Sequence, residues 1–247
     1  MFEQEVKGRI RANSDNAGLQ TDAAAFMRSS LRPQYSYNFS WLGRPIIQYP
    51  QDIVAMQEII WAVQPDLIIE TGIAHGGSLI FSAAMLELNA ACGGSQSATV
   101  LGVDIDIRQH NRVAIESHPM FKRITMLQGS SIASEIIAEV RHRAKGKERI
   151  LVALDSNHTH DHVLAELEAY APLVTPGSYC VVFDTVIEDT AECCPSDRPW
   201  GKGNNPKTAV CQYLKTHPEF EIDKEVEHKL LITVSPGGYL RRVNYEE

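Results

Sequence analysis

Nowhere does the chain carry the ~18 consecutive apolar residues that a membrane-spanning helix needs. Its first residues, M-F-E-Q-E-V-K-G-R, lack the apolar core of a signal peptide. Basic residues are in deficit: 23 Lys and Arg stand against 31 Asp and Glu, a net charge of -8, which argues against extended nucleic-acid binding. Cysteine is scarce. The five are an odd number, scattered and without a C-x-x-C pair, so a reduced, cytoplasmic setting is expected. The adjacent pair Cys193-Cys194 has the wrong spacing for a zinc or redox site. Internal repeats and low-complexity segments are missing, as is the dinucleotide motif G-x-G-x-x-G. What is present, 44% hydrophobic and 22% charged residues over a length of 247, is ordinary for one soluble α/β domain with a small appendage.

The stretch Leu67 to Ser78, L-I-I-E-T-G-I-A-H-G-G-S, organises the rest. Its apolar start reads as a strand buried on both faces. The chain then turns through Gly72, Gly76 and Gly77, and Ser78 is placed to cap the apolar helix L-I-F-S-A-A-M-L-E-L. A strand, a glycine-rich turn and a helix N-terminus form half of a nucleotide-binding unit, in which glycine permits close backbone approach to a ligand.

Residues 1–50 form an N-terminal arm, and 51–247 the main domain. Met1 to Gly18 is polar and expected to be partly mobile; Thr21 to Leu31 suits a short helix. Pro33 to Pro50 is rich in aromatics, either an arm packed on the domain or a partner subunit, or a lid over a substrate pocket. Ile53, Met56, Ile60 and Val63 recur at helical spacing, with Asp52 placed to cap that helix. Further strands are expected at 99–103, 123–127, 149–154 and 178–183, with helices at 108–118, 131–145, 161–173 and 205–216. Residues 186–203 read as an irregular insertion, and two closing strands as a hairpin around S-P-G-G. This alternation implies a doubly wound, mostly parallel sheet with an antiparallel end.

In such a sheet ligands bind outside the carboxyl ends of the strands. Glu70, Asp104 with Asp106, Asp155 and Asp184 all stand there. Asp104, after the second strand, is placed for ribose hydroxyls, with Asp106 as its neighbour. Asp155 and Asp184 end neighbouring strands and suit a hard cation such as magnesium; one of them as a general base or a cap is the other reading. The run D-S-N-H-T-H-D-H places His158 in the loop over the site. An imidazole can take a proton near pH 7, and a structural hydrogen bond is the competing role. His160 and His162 are expected at the surface, and the spacing fits no standard zinc pattern.

Together these pieces resemble the S-adenosylmethionine-dependent methyltransferases. E-T-G-I-A-H-G-G-S is similar to their glycine motif and V-D-I-D to their ribose-binding acid. K-L-L-I-T-V-S-P-G-G-Y-L-R-R-V, R-P-I-I-Q-Y-P-Q-D, L-D-S-N-H-T and H-V-L-A-E-L-E-A-Y-A-P-L-V resemble the narrower cephalosporin hydroxylase / rhamnosyl O-methyltransferase family of bacterial natural-product pathways, antibiotic biosynthesis among them. The likeness covers roughly residues 41–243 and implies a Rossmann-like seven-stranded methyltransferase fold. It also implies methyl transfer from S-adenosyl-L-methionine to a hydroxyl of a small molecule, with magnesium (Mg2+) acidifying that hydroxyl. On this resemblance Glu70, Gly72, His75, Gly76, Gly77 and Ser78 surround the methionine part of the cofactor and Asp104 and Asp106 the ribose. Gly129 and Ser130 lie near adenine. Asp155 touches cofactor and metal, Asp184 and Thr185 complete the metal set, and His158 is the candidate base. The family pattern has a glutamate where this chain has Phe183, which leaves two carboxylates for the metal or removes it altogether.

The rival readings are a metal-independent methyltransferase acting on nitrogen or carboxylate with His158 as base, an oxygen-using hydroxylase, an NAD-dependent oxidoreductase, and a non-catalytic partner. The last three lack support in the residues. The insertion with Trp200 is expected to wall the acceptor pocket together with the arm. The arm also makes a homo-oligomer plausible.

Overall fold

The computed structural model describes residues 2–193 and 197–244; Cys194 lies outside them. The main sheet contains β3 (Leu67–Thr71), β4 (Thr99–Asp104), β5 (Ile124–Gln128), β6 (Ile150–Leu154), β7 (Tyr179–Val182), β8 (Phe220–Ile222) and β9 (Tyr239–Arg242). A separate two-stranded ribbon, β1 (Phe39–Trp41) and β2 (Arg44–Ile46), precedes them. The main order is β5-β4-β3-β6-β7-β9-β8, parallel from β5 through β7 and antiparallel at β9. The order reverses between β3 and β6, so the ends of these two strands open a crevice.

Side chains alternate across the sheet, as period-two geometry requires. Ile68, Val100, Leu151 and Val181 enter the core on one face. Leu67, Ile69, Leu101, Val152 and Cys180 enter the core on the other. Both faces are covered, so the strands read as continuous apolar runs rather than alternating ones.

The helices of the arm are α1 (Phe2–Asp15) and α2 (Ala17–Leu31). Those of the first half of the domain are α3 (Pro50–Val63), α4 (Gly77–Ala91), α5 (Gln109–Glu116) and α6 (Ser134–Ala144). The second half adds α7 (His160–Tyr170), α8 (Ile187–Thr190), α9 (Pro206–Tyr213) and α10 (Lys224–Leu230). Helix α4 is apolar on almost every side, which requires cover from more than the sheet. The arm supplies it. Trp41 packs edge-on against Phe81, centroids 4.9 Å apart, and Met27, Ile46 and Tyr49 join the same core.

Several expectations change. The polar start of the chain is helical (α1) and touches α10 through the Asn13 amide, which donates to the His228 carbonyl at 3.3 Å. Asp52 does not cap α3. That helix starts with Pro50 after Tyr49, and Asp52 is fully buried, accepting from Thr233 (2.5 Å), the Val234 amide (3.0 Å) and the Tyr239 hydroxyl (2.7 Å). Ser78 does not cap α4; Gly76 stands at the cap in a left-handed conformation and the helix begins at Gly77. The closing antiparallel pair is β8–β9, joined through α10 and the S-P-G-G turn, so Leu230–Val234 is not a strand. The insertion carries the short helix α8.

Candidate active site

The glycine turn lies at the switch point and is held from three sides. From β4, Asp104 accepts the amides of Ile73 (2.7 Å) and Ala74 (3.2 Å). From β2, Arg44 donates to the His75 carbonyl (3.0 Å) and to Asn111 (3.0 Å). Asn111 of α5 in turn donates to the Ala74 carbonyl (2.9 Å). Two glycines are sterically required. A Cβ on Gly72 would stand 2.0 Å from the Asp155 carbonyl oxygen, and one on Gly77 would stand 2.1 Å from that of Pro45. The close approach glycine permits here is thus between strands and to the arm.

Over this turn opens a cavity of about 1030 Å³. That is at the upper end of the ~300–1,000 Å³ usual for small-molecule sites, enough for a cofactor beside a second substrate. Its floor is Gly72–His75, Gly77 and Ser78; its far walls come from the arm (Tyr37, Gln48) and the insertion (Arg198, Trp200). The first amides of α4 have no acceptor within the helix and face an anionic group favourably.

Three predicted residues converge on one edge of the cavity. One ligand atom from each of Asp155, His158 and Asp184 lies within 4.8 Å of the others, and His158 Nε2 is 3.1 Å from Asp184 Oδ2. It is the one such group of metal-ligand type among the described residues. Asp184 takes a left-handed conformation (φ 58°) two residues after the end of β7, a geometry aspartate tolerates. Trp200 packs edge-on against the His158 ring, centroids 4.8 Å apart, and Arg198 lies over Trp200. Burial pushes the Asp155 carboxyl well above its usual range, and the charges of Asp184, Glu70, Glu166 and Asp52 add to it. Such a crowd of acids favours a counter-cation.

The other candidates are spread around this centre. Glu70 is buried behind the turn; burial raises its pKa, and the Ser82 and Ser78 hydroxyls hold it. His75, Gly76 and Gly77 form the end of the turn. Asp104, Asp106, Gly129 and Ser130 stand outside the cavity wall, Gly129 being tied to Asp104 by a backbone bond of 2.8 Å. Thr185 is not brought into the cluster: it is fully buried and its hydroxyl donates to the Pro236 carbonyl at 2.9 Å. Phe183 packs in the core and lines only a small inner recess. His160 and His162 are bonded rather than free at the surface. His160 meets Thr208 (2.8 Å), and His162 meets Ser131 (3.1 Å) and Ser156 (3.2 Å).

Sequence reasoning passed over Gln48. It is 7% exposed, its Nε2 donates to Asp155 Oδ2 at 3.4 Å, and its Oε1 has no partner among the described residues. Its signal was the segment R-P-I-I-Q-Y-P-Q-D, which also contains Arg44.

Comparison with known proteins gives the family and the fold. The family model for rhamnosyl O-methyltransferase/CmcI matches residues 33–243. A rhamnosyl O-methyltransferase of Mycobacterium leprae (strain TN) is 31% identical over 207 residues, covering 82% of each chain. An apo structure of CmcI superposes with TM-score 0.58 at 18% identity, over 85% of this chain and 78% of that one. A CmcI structure with Mg and SAM gives TM-score 0.57 at 18% identity, over 84% and 78%. No helix among the described residues is long and apolar enough to cross a membrane.

Proposed function

This chain belongs to the rhamnosyl O-methyltransferase/CmcI family and is an S-adenosylmethionine-dependent methyltransferase, and we propose that it methylates a hydroxyl of a small natural product or its sugar with help from a divalent cation, magnesium in the first instance. The observation that carries the reading is the convergence of Asp155, His158 and Asp184 at the edge of a cavity floored by the glycine turn.

The methyl side of the reaction asks little beyond geometry. The sulfonium is activated already and leaves as a neutral thioether, so the site must align nucleophile, methyl carbon and sulfur and exclude water. On this reading Gly72 and His75–Ser78 receive the methionine part with Glu70 buried behind them, and the adenosine side extends past the cavity wall toward Asp104, Asp106, Gly129 and Ser130. Asp104 holds the turn through one oxygen, while its other oxygen accepts the Asp106 amide at 2.9 Å. The first oxygen is filled by the Ile73 and Ala74 amides, and the second keeps one lone pair for a ribose hydroxyl. The arm and the insertion enclose the acceptor.

The acceptor hydroxyl must lose its proton. Two carboxylates and an imidazole suit a divalent cation, which when bound acidifies a hydroxyl coordinated to it. Asp155 and Asp184 hold it on this reading. His158 Nε2 faces the same space and has one lone pair, available either to the proton or to the cation. A second reading rests on the 3.1 Å His158–Asp184 pair, a carboxylate-oriented imidazole that serves as base without any metal.

Calorimetric titration with S-adenosylmethionine, with and without Mg2+, is the test. The expected result is cofactor binding in both cases and a separate cation heat that Asp155→Ala abolishes. Cofactor binding with no cation heat moves the metal-free base ahead. No cofactor binding overturns the proposal.

A further inference from the structure

We propose that His158 is a ligand to the cation, through Nε2, and that the site therefore takes a first-row transition dication such as Mn2+ or Co2+ in preference to Mg2+. This rests on the cation-assisted reading above and specifies its metal.

The donor set is the first ground. Magnesium is served by oxygen donors, and imidazole suits the transition ions. At the end of β7 the chain offers Phe183, turned into the core, and then Asp184. Among the described residues only two carboxylates thus reach the cluster, and the third ionisable donor within range is a nitrogen. An Asp-His-Asp set lies between the all-oxygen sites of magnesium and the nitrogen-rich sites of zinc.

The geometry is the second. Two cis ligands bonded at ~2.1–2.2 Å to one octahedral ion stand roughly 3.0–3.1 Å apart. His158 Nε2 and Asp184 Oδ2 are 3.1 Å apart. That length also suits an N–H···O bond, and the tautomer chooses between the two: with the proton on Nδ1, the Nε2 lone pair faces the two acids. The ring is not free to turn away, because the edge of Trp200 packs against it and the side chain is 15% exposed. Gln48, nine-tenths buried, donates to Asp155 Oδ2 at 3.4 Å, and its Oε1 is left as a buried acceptor without a partner among the described residues. A nitrogen that binds the cation cannot also take the acceptor's proton, so on this proposal His158 would hold the ion, the ion would acidify the hydroxyl, and the proton would pass to solvent water.

Divalent ions of the transition series bind most sites more tightly than Mg2+, so affinity alone does not decide. The discriminating experiment is pulsed electron paramagnetic resonance on the full chain loaded with Mn2+, together with calorimetry for Mg2+, Mn2+ and Co2+. The expected result is ¹⁴N modulation from one directly bound imidazole, lost in His158→Ala. That variant should weaken Co2+ binding about ten-fold or more and Mg2+ binding less than three-fold. An unchanged S-adenosylmethionine affinity checks that it is folded, and His158→Gln repeats the test with a polar side chain. Mn2+ that binds without nitrogen coupling, or a His158→Ala loss equal for all three ions, overturns this proposal and leaves the cation-assisted reading intact. Failure of every cation to bind overturns both.

Discussion

The α-carbon of Gly72 faces the Asp155 carbonyl so closely that a Cβ there would come within 2.0 Å of its oxygen. This contact is where the two halves of the sheet diverge, and it fixes the Asp155 backbone against the glycine turn. Gly72 also has φ 90°, which side-chain-bearing residues rarely adopt. Gly72→Ala should therefore destabilise the fold by about 2–4 kcal/mol and weaken cofactor binding in whatever fraction folds. Denaturant unfolding and calorimetry measure both; a variant as stable as the parent would refute the steric argument.

Arg44 reaches from the arm to the His75 carbonyl and to Asn111, which holds the Ala74 carbonyl. Arg44→Ala should loosen the turn while leaving the core intact. The expected outcome is an S-adenosylmethionine Kd raised about ten-fold, roughly 1.4 kcal/mol, with an unfolding midpoint within a few degrees of the parent. Unaltered cofactor affinity would mean that the arm is dispensable for the turn.

Asp52 is fully buried and its pKa is raised from 3.8 to about 6, mainly by burial and against three hydrogen bonds that favour the charged form. A carboxyl with a raised folded pKa stabilises the fold in its protonated form. Its contribution is complete below about pH 4 and is lost as pH rises through about 6. The loss is on the order of 3 kcal/mol. Glu70 and Asp155 shift in the same direction. Denaturant midpoints collected from pH 4 to 7 should fall across this window, and Asp52→Asn should flatten the slope. An identical slope in the variant would show that Asp52 does not titrate there.

Trp200 stands between His158 and Arg198 on the cavity wall. Trp200→Ala removes the ring that restrains His158 and one face of the acceptor space. The expected signature is an acceptor KM raised by about ten-fold or more, with S-adenosylmethionine affinity unchanged. A change confined to cofactor binding would place the insertion at the wrong end of the cavity.

The parallel sheet was legible because it is local in origin. Apolar runs such as Leu67–Ile69 and Ile150–Leu154, each ending in an acid or a glycine turn, state their own conformation and their place at the carboxyl edge. Asp155 and Asp184 could be paired in advance because parallel order makes β6 and β7 neighbours. Local signals misled where a side chain had a distant partner. Asp52 and Ser78 both have the look of helix caps, yet Asp52 bonds to residues 181 to 187 positions away, and Ser78 turns to Glu70.

The sequence by itself determined the alternation of strand and helix, the burial of the sheet on both faces, and the row of acids at the strand ends, since periodicity and turn chemistry depend on near neighbours. Tertiary structure alone decided that the arm roofs α4, that Gln48 and Arg44 reach the turn, and that His158 faces Asp184 while Phe183 and Thr185 turn away. Those outcomes depend on which buried group finds a partner across the chain, and no spacing along the sequence encodes that choice.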